Sequence, residues 1–354
     1  MKAWAVVEAN APLEEIELPT PVPKGSEVLI EVTHCGVCHS DLHFWKGEYD
    51  MGGGKVMKLS ERGVTLPRAP GHEVAGRVVA LGPDATRMEP GRIYVVYPWL
   101  GCGHCEECAA GQDNMCSAQH SIGIIENGGF ATHVLVPHPR YLVDIGAVEP
   151  ALAATYACSG IAVYSAVRKV LPLGAKRPVV LIGAGGLGLT AIAMLKALGH
   201  ETIISVDLDP LKRAAAMEAG ATATIDGAGD ALVDRIIEVA GGPVPAVIDF
   251  VNSSATAAAG LAALGKGGRL ILVGVAGGEV TLSLAGMVFR SNAVIASLNG
   301  SPQDLREVMA LANSGKLLPT PITTCPRRDA NAALNALKSG NVIGRLVLAT
   351  EQSE

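Results

Sequence analysis

The chain has 354 residues, a length that suits two domains. Hydrophobic residues make up 49% and charged residues 18%, which excludes a disordered chain and supplies material for two cores. Lys and Arg number 28 against 34 Asp and Glu, and the resulting charge of −6 disfavours a phosphate-backbone partner, so no nucleic-acid binding is expected.

The N-terminus meets Glu8 before any long apolar stretch develops, so no secretory signal is expected and the chain reads as cytoplasmic. Up to about residue 150 the pattern is β-rich. Residues 27–32 alternate as a half-buried strand does, and residues 74–82 form a second strand ending at a turn. Pro and Gly punctuate the region at 19–23 and 90–91, and short strands at close spacing predict a barrel or sandwich. Two uncharged runs, 150–167 and 178–195, reach the length of a short membrane span. The second carries four glycines in a strand-turn-helix pattern, and the first carries Tyr156, Cys158, Ser159 and Tyr164. Both are read as buried elements, with no membrane partner. From there strands at 178–182, 202–206, 223–225, 246–250 and 269–273 alternate with helices at 189–198, 211–219, 231–240 and 255–264. Continuous apolar strands alternating with helices predict an α/β unit with a parallel sheet covered on both faces. A helix at 302–314 and a strand at 344–348 complete the chain.

Three groups of residues carry chemistry. Gly183-Ala184-Gly185-Gly186-Leu187-Gly188 fits G-x-G-x-x-G between a predicted strand and a predicted helix, and Asp207 ends the next strand 24 positions after Gly183. Gly183 permits a tight turn, Gly185 lets backbone approach a pyrophosphate, and Gly188 lets helix and strand pack closely. The N–H groups at the start of the helix attract phosphate. Asp207 would bond both ribose hydroxyls and repel a 2′-phosphate, which favours NAD over NADP. The competing reading is a glycine turn that binds nothing. Cys102, Cys105, Cys108 and Cys116 make C-x2-C-x2-C-x7-C, the spacing of a closed structural zinc site, with an iron–sulfur cluster or unligated buried thiols as alternatives. His104 and Glu106 lie inside the knot as competing donors. Finally, Cys38-His39-Ser40-Asp41-Leu42-His43, Gly71-His72-Glu73 and the distant Cys158 hold chemically capable groups, and Cys38, His72 and Cys158 could supply the three ligands of an open catalytic zinc, a set that spacing alone does not single out. Spacing alone leaves a plainer reading open, with Cys158 a small buried hydrophobe and His72 an ordinary core or surface histidine.

These groups, together with Gly36-Val37, Ala157-Cys158-Ser159-Gly160 and Gly344-Arg345, resemble the zinc-dependent medium-chain alcohol dehydrogenases over essentially the whole chain. The resemblance implies a GroES-like β-barrel catalytic domain at 1–159 and 299–354 and a Rossmann doubly wound domain at 160–298. It implies two Zn2+ per chain and NAD. Cys38, His72 and Cys158 would hold the catalytic zinc, with Glu73 behind it and Asp41 orienting His72. Ser40 would take the alcohol's proton, and the nicotinamide ribose and His43 would pass it to solvent. His39 and Arg345 would contact the pyrophosphate and Lys212 the adenosine ribose, while the Leu187 turn would lie along the phosphates. The backbone near Val273 and Leu298 would hold the carboxamide. Trp45 and Trp99 would line an apolar substrate pocket, although ordinary core packing explains either. The implied activity is reversible hydride transfer between a primary or secondary, apolar or aryl alcohol and NAD, by a homo-oligomer, a tetramer before a dimer. Cys35 and Cys325 match no ligand position.

One departure stands out. His43 and His72 are 29 positions apart, longer than in short members of the family, and the extra material is 49–63. It reads as a surface insertion or as a flap or subunit-contact loop beside the active-site mouth. A polyol or sugar dehydrogenase is a rival, disfavoured by Cys158. An enzyme for a larger acid or CoA-linked alcohol is another, to which Lys55, Lys58 and Arg62 give slight support. A non-catalytic NAD-binding relative is a third, disfavoured by the intact Cys38, Ser40, His43, His72 and Cys158.

Overall fold

Alternating and continuous apolar runs build two large sheets beside three two-stranded ones, described for residues 1–350 in the computed structural model. The first is a seven-stranded, mostly antiparallel sheet. Its centre is the long strand Val28–Val37, which pairs with Glu73–Leu81, His133–Val136 and Arg345–Ala349. The strand bends through two register shifts against Glu73–Leu81, so one segment serves several neighbours. The C-terminal strand Arg345–Ala349 therefore lies beside N-terminal material, and the unit needs both ends of the chain.

The second sheet has six parallel strands. In space they run Ala223–Asp226, Ile203–Asp207, Val179–Ile182, Val244–Asp249, Leu264–Leu272 and Ala293–Ala296. In chain order that is 3-2-1-4-5-6, the doubly wound arrangement whose crevice opens where the order reverses, between Val179–Ile182 and Val244–Asp249. All residues of Val179–Ile182 are buried, as a strand covered on both faces requires. The helix predicted from 189 begins earlier, at Gly186, because the glycines themselves form its first turn.

Between the sheets runs the helix Pro150–Val170, which contains the uncharged run 150–167, and 72% of its apolar window is buried inside the chain. Proline at its first position starts it without losing a hydrogen bond. Ile161, Val163, Ala166 and Val167 join Leu189, Ile192 and Leu195 of the helix Gly186–Ala197 in one apolar cluster that continues into the first sheet. A smaller cluster, including Val180, Ile204, Val247 and Leu270, fills the other face of the parallel sheet.

The sequence reading left 274–301 and 315–343 largely unassigned. These hold the helices Leu284–Arg290 and Ala330–Lys338 and the strands Ala293–Ala296 and Ile322–Pro326. Leu284–Arg290 exposes its apolar side chains, so it shows no two-faced period. Ile322–Pro326 carries two threonines and ends in proline, which masks a strand.

The glycine turn tests the packing. A β-carbon on Gly188 would lie 1.9 Å from the Gly183 carbonyl oxygen, whereas one on Gly185 would meet nothing within 4 Å. Gly188→Ala is expected to destabilise the chain by roughly 2 kcal/mol, since backbone must move to admit the methyl. Gly185→Ala is expected to leave stability unchanged. Urea unfolding midpoints of both variants check this, and equal midpoints would contradict it.

Candidate active site

The end of one strand, the start of another and the middle of a helix bring Cys38, His72 and Cys158 together. Cys38 follows Val28–Val37 and caps the helix His39–Lys46. His72 directly precedes Glu73–Leu81. Cys158 sits in a π-helical turn, Tyr156–Gly160, that interrupts Pro150–Val170; such turns recur at functional sites because they redirect side chains. The three ligand atoms lie within 4.8 Å of one another, and all three residues are buried. The neighbouring Cys158 holds the Cys38 thiol well below the ordinary range. Cys38 and burial push Cys158 well above it.

A zinc ion fits this donor set. Two sulfurs and one imidazole are its preferred ligands, and three of them leave a position open. His72 Nε2 is buried with no hydrogen-bond partner, which a metal bond would supply. Behind the ring, Asp41 Oδ1 stands 3.3 Å from His72 Nδ1 as its ion-pair partner. Burial alone disfavours the imidazolium, and Asp41 overrides it to raise the His72 pKa well above the ordinary value. Asp41 is itself held by the backbone N–H groups of Cys38 and Gly71, at 2.8 and 3.1 Å.

Glu73 lies under the cluster, fully buried, and is pushed up to about 7 by that burial against the pull of Arg345. Its Oε2 accepts from Arg345 Nη2 in an ion pair sealed from solvent, and its Oε1 accepts from the Ser159 N–H at 3.1 Å. Arg345 reaches across to the glycine turn, where its Cδ lies 2.3 Å from the place a Gly186 β-carbon would take. Arg345, expected at the pyrophosphate, makes an ion pair with Glu73 that the sequence did not reveal.

The four-cysteine lobe is equally well formed. Cys102 Sγ lies 4.0 Å from Cys108 Sγ, and Cys105 Sγ 3.8 Å from Cys116 Sγ. A tetrahedron with Zn–S bonds of about 2.3 Å has edges of about 3.8 Å. These separations exclude disulfides, and all eight cysteines are free. His104 and Glu106 are outside the ligand group, with His104 Nδ1 3.0 Å from the Cys102 carbonyl. Backbone N–H groups of His104 and Cys105 lower the Cys102 thiol to about 6. Asp113 ties the lobe to Arg140 and the Tyr141 hydroxyl, at 2.7 and 2.8 Å.

The crevice beside the cluster fits a dinucleotide. Gly185 caps the helix Gly186–Ala197 with no side-chain bond, which leaves the first N–H groups free, and the space above it is open. Asp207, at the end of Ile203–Asp207, accepts from the N–H groups of Ala184 and Asp209 and so is fixed over the turn. His39 stands exposed at the start of its helix, and the charges of Cys38, Arg345 and Lys212 all act on it. Val273 donates its N–H to the Asp249 carbonyl at 3.0 Å, and Leu298 accepts from Asn114 Nδ2 at 3.3 Å.

Ser40 and His43, three apart on one helix, face the same way. Of the two expected pocket tryptophans, Trp99 is buried with its ring 5.5 Å from His72. Trp45 instead donates its indole N–H to the Ala11 carbonyl and lies 4.7 Å from Lys338 Nζ. The reason is helical: two positions after His43 is a rotation of about 200°, onto the opposite face. The residue that sequence reasoning passed over is Tyr49, whose ring stacks on His43 at 4.5 Å and 18°. An aromatic at the head of the insertion was its only signal.

Comparison with known proteins agrees with this geometry. Residues 24–147 match the alcohol dehydrogenase GroES-like domain, and residues 186–314 match the zinc-binding dehydrogenase domain. An NAD-dependent alcohol dehydrogenase of Sulfurisphaera tokodaii is 36% identical over 98% of this chain and 99% of its own length. A D-arabinose 1-dehydrogenase (NADP(+)) of Saccharolobus solfataricus is 33% identical over 98% of this chain and 97% of its own length. The solved alcohol dehydrogenase of Aeropyrum pernix superposes with a TM-score of 0.90 at 30% identity, covering 99% of this chain and 100% of that one. By fold, by metal-ligand geometry and by these likenesses, the chain belongs to the zinc-dependent medium-chain alcohol dehydrogenase family.

Proposed function

We propose that this chain is a zinc-dependent dehydrogenase that exchanges a hydride between a primary or secondary alcohol and NAD, giving an aldehyde or ketone. The observation that carries it is the convergence of Cys38, His72 and Cys158 beside the crevice of a dinucleotide fold, with His72 Nε2 unpartnered. We infer a catalytic domain at 1–159 and 299–354 and a coenzyme domain at 160–298, a division that the two separate large sheets support.

A bound zinc would supply the charge that acidifies an alcohol hydroxyl and polarises a carbonyl, and a bound NAD would supply the hydride acceptor. The chain's own residues do the rest. Cys38, His72 and Cys158 fix the metal, and Asp41 keeps His72 in register. Ser40 accepts the proton from the alcohol oxygen and His43 passes it outward. Burial, aided by the charges of Lys46 and His39, lowers the His43 pKa below its ordinary value, so the ring is neutral near pH 7 and able to accept. Asp207 and Lys212 hold the adenosine ribose, His39 and Arg345 the pyrophosphate, and the backbone at Val273 and Leu298 the carboxamide. Trp99 gives the pocket an apolar wall. The four-cysteine lobe takes a second, structural zinc; its free thiols suit a reducing, cytoplasmic setting.

A homo-oligomer, a tetramer before a dimer, is part of this reading. Ala293–Ala296 is an edge strand of the parallel sheet, and beside it Leu284, Val288 and Phe289 are 80%, 76% and 80% exposed. An open edge flanked by apolar surface is covered most simply by a second copy. Sedimentation of the purified chain is expected to give a multiple of the chain mass, and a monomer at micromolar concentration would contradict this.

NADH absorbance with a panel of alcohols, with and without a zinc chelator, tests the activity. Hexanol, benzyl alcohol and a secondary alcohol are expected to be oxidised, with turnover lost on chelation. Metal analysis is expected to give two zincs per wild-type chain and one in a folded, inactive Cys158→Ala variant. Undiminished turnover by that variant would sink the assignment. The likeness to a D-arabinose dehydrogenase makes that sugar and sorbitol the informative controls, since turnover of these alone would replace the apolar alcohol by a polyol.

A further inference from the structure

The insertion at 49–63 is not a free surface loop. Glu48–Asp50 and Val56–Lys58 pair as a short antiparallel hairpin. One end begins at Tyr49, whose ring stacks on His43 of the helix His39–Lys46. Its tip reaches the parallel-sheet unit. A β-carbon on Gly52 would lie 2.6 Å from the Gly278 carbonyl oxygen and 2.7 Å from Glu279 Cγ. One on Gly53 would lie 2.5 Å from Glu279 Oε1, and one on Gly277 would lie 2.9 Å from Asp50 Cβ. Glycines on both partners therefore allow backbone to approach backbone, and no larger residue fits without a shift.

The receiving segment is the loop that leaves Leu264–Leu272 through Val273 at the carboxyl edge of the parallel sheet. Its inner side is held by Ser254, whose Oγ accepts the Glu279 N–H at 2.8 Å. A cavity of about 290 Å³, lined in part by Ser254, Leu272 and Gly277–Glu279, lies against it. The loop thus rests on open space on one side and on the hairpin on the other.

We propose that the hairpin 48–58 is a clamp across the active-site cleft, fastening the loop after Val273 to the helix that carries Ser40 and His43, so that NAD(H) enters and leaves only when this contact opens. The proposal rests on the NAD-linked reading above. It gives the insertion a positioning role: the segment that holds the nicotinamide and the helix that handles the proton are set against each other through one contact. Tyr49 is the positioning residue at the proton end, and Gly52 and Glu279 are the seat at the coenzyme end.

The test is the rate of NADH release from the zinc-loaded enzyme, read by stopped-flow fluorescence. Gly54 supplies the control: its φ of +73° resembles the +80° of Gly52, but a β-carbon there meets nothing within 4 Å. Gly52→Ala is expected to speed NADH release by about tenfold, because the added methyl wedges the seat apart. Gly54→Ala carries the same backbone strain and is expected to stay within about twofold of wild type. Glu279→Ala, which removes a side chain from the seat and adds no strain, is expected to speed release as well. Equal release rates for Gly52→Ala and Gly54→Ala would overturn the clamp. Should Gly52→Ala fail to fold, an unchanged rate in Glu279→Ala would overturn it equally. A wild-type chain that binds no NADH would overturn the NAD-linked reading, and the clamp with it, whereas the variant comparison bears on the clamp alone.

Discussion

The arrangement depends on one buried ion pair, Glu73 with Arg345, joined across 272 positions of sequence and at most 4% exposed on either side. Neither charge is tolerable there alone, since an unpaired ion in a dry interior costs far more than any surface contact returns. Glu73 opens a strand of the first sheet and Arg345 opens the last strand of the chain, so the pair fixes the C-terminus against the N-terminal sheet. Arg345 also lies against Gly186 at the head of the dinucleotide turn. One arginine side chain is therefore common to the thiol cluster, the glycine turn and the closure of the sheet.

Charge explains why the cluster asks for a cation. Cys38, Cys158, Glu73 and Asp41 converge in a space from which water is excluded, and Arg345 is the cation whose charge acts on both thiols. The two sulfurs push each other's thiols in opposite directions, and burial drives Glu73 toward neutrality. A divalent ion bound by two thiolates and His72 would offset the negative charge of the sulfurs and leave one position for substrate. The same accounting makes the four-cysteine lobe closed, because four thiolates leave no place for anything else.

Much of this was legible in sequence because the signals are local. The strand-turn-helix around Gly183 to Gly188, the acid at Asp207 and the cysteine spacing from 102 to 116 are each short-range patterns, and the structure forms a strand, turn and helix, a strand end and a thiol cluster there. The catalytic set is different. Cys38, His72 and Cys158 meet only through tertiary packing and a π-helical turn that no spacing announces, so without the family resemblance they were three unconnected residues. Trp45, named for its closeness in sequence to the inferred zinc ligands, instead packs its indole against Ala11 and Lys338. The helix Leu284–Arg290 escaped notice because its exposed apolar residues obey no internal partner. The insertion was visible as extra length, but its seat on Gly277–Glu279 is a contact between segments more than 200 positions apart.

The most direct measurement of the central claim is deuterium transfer from α-deuterated benzyl alcohol to NAD, followed before zinc removal, after complete removal and after stepwise zinc return. The geometry predicts deuterated NADH from the loaded enzyme, none from the stripped enzyme, and recovery as zinc refills the site of Cys38, His72 and Cys158. Deuterium transfer at an undiminished rate after all zinc has been removed would contradict it.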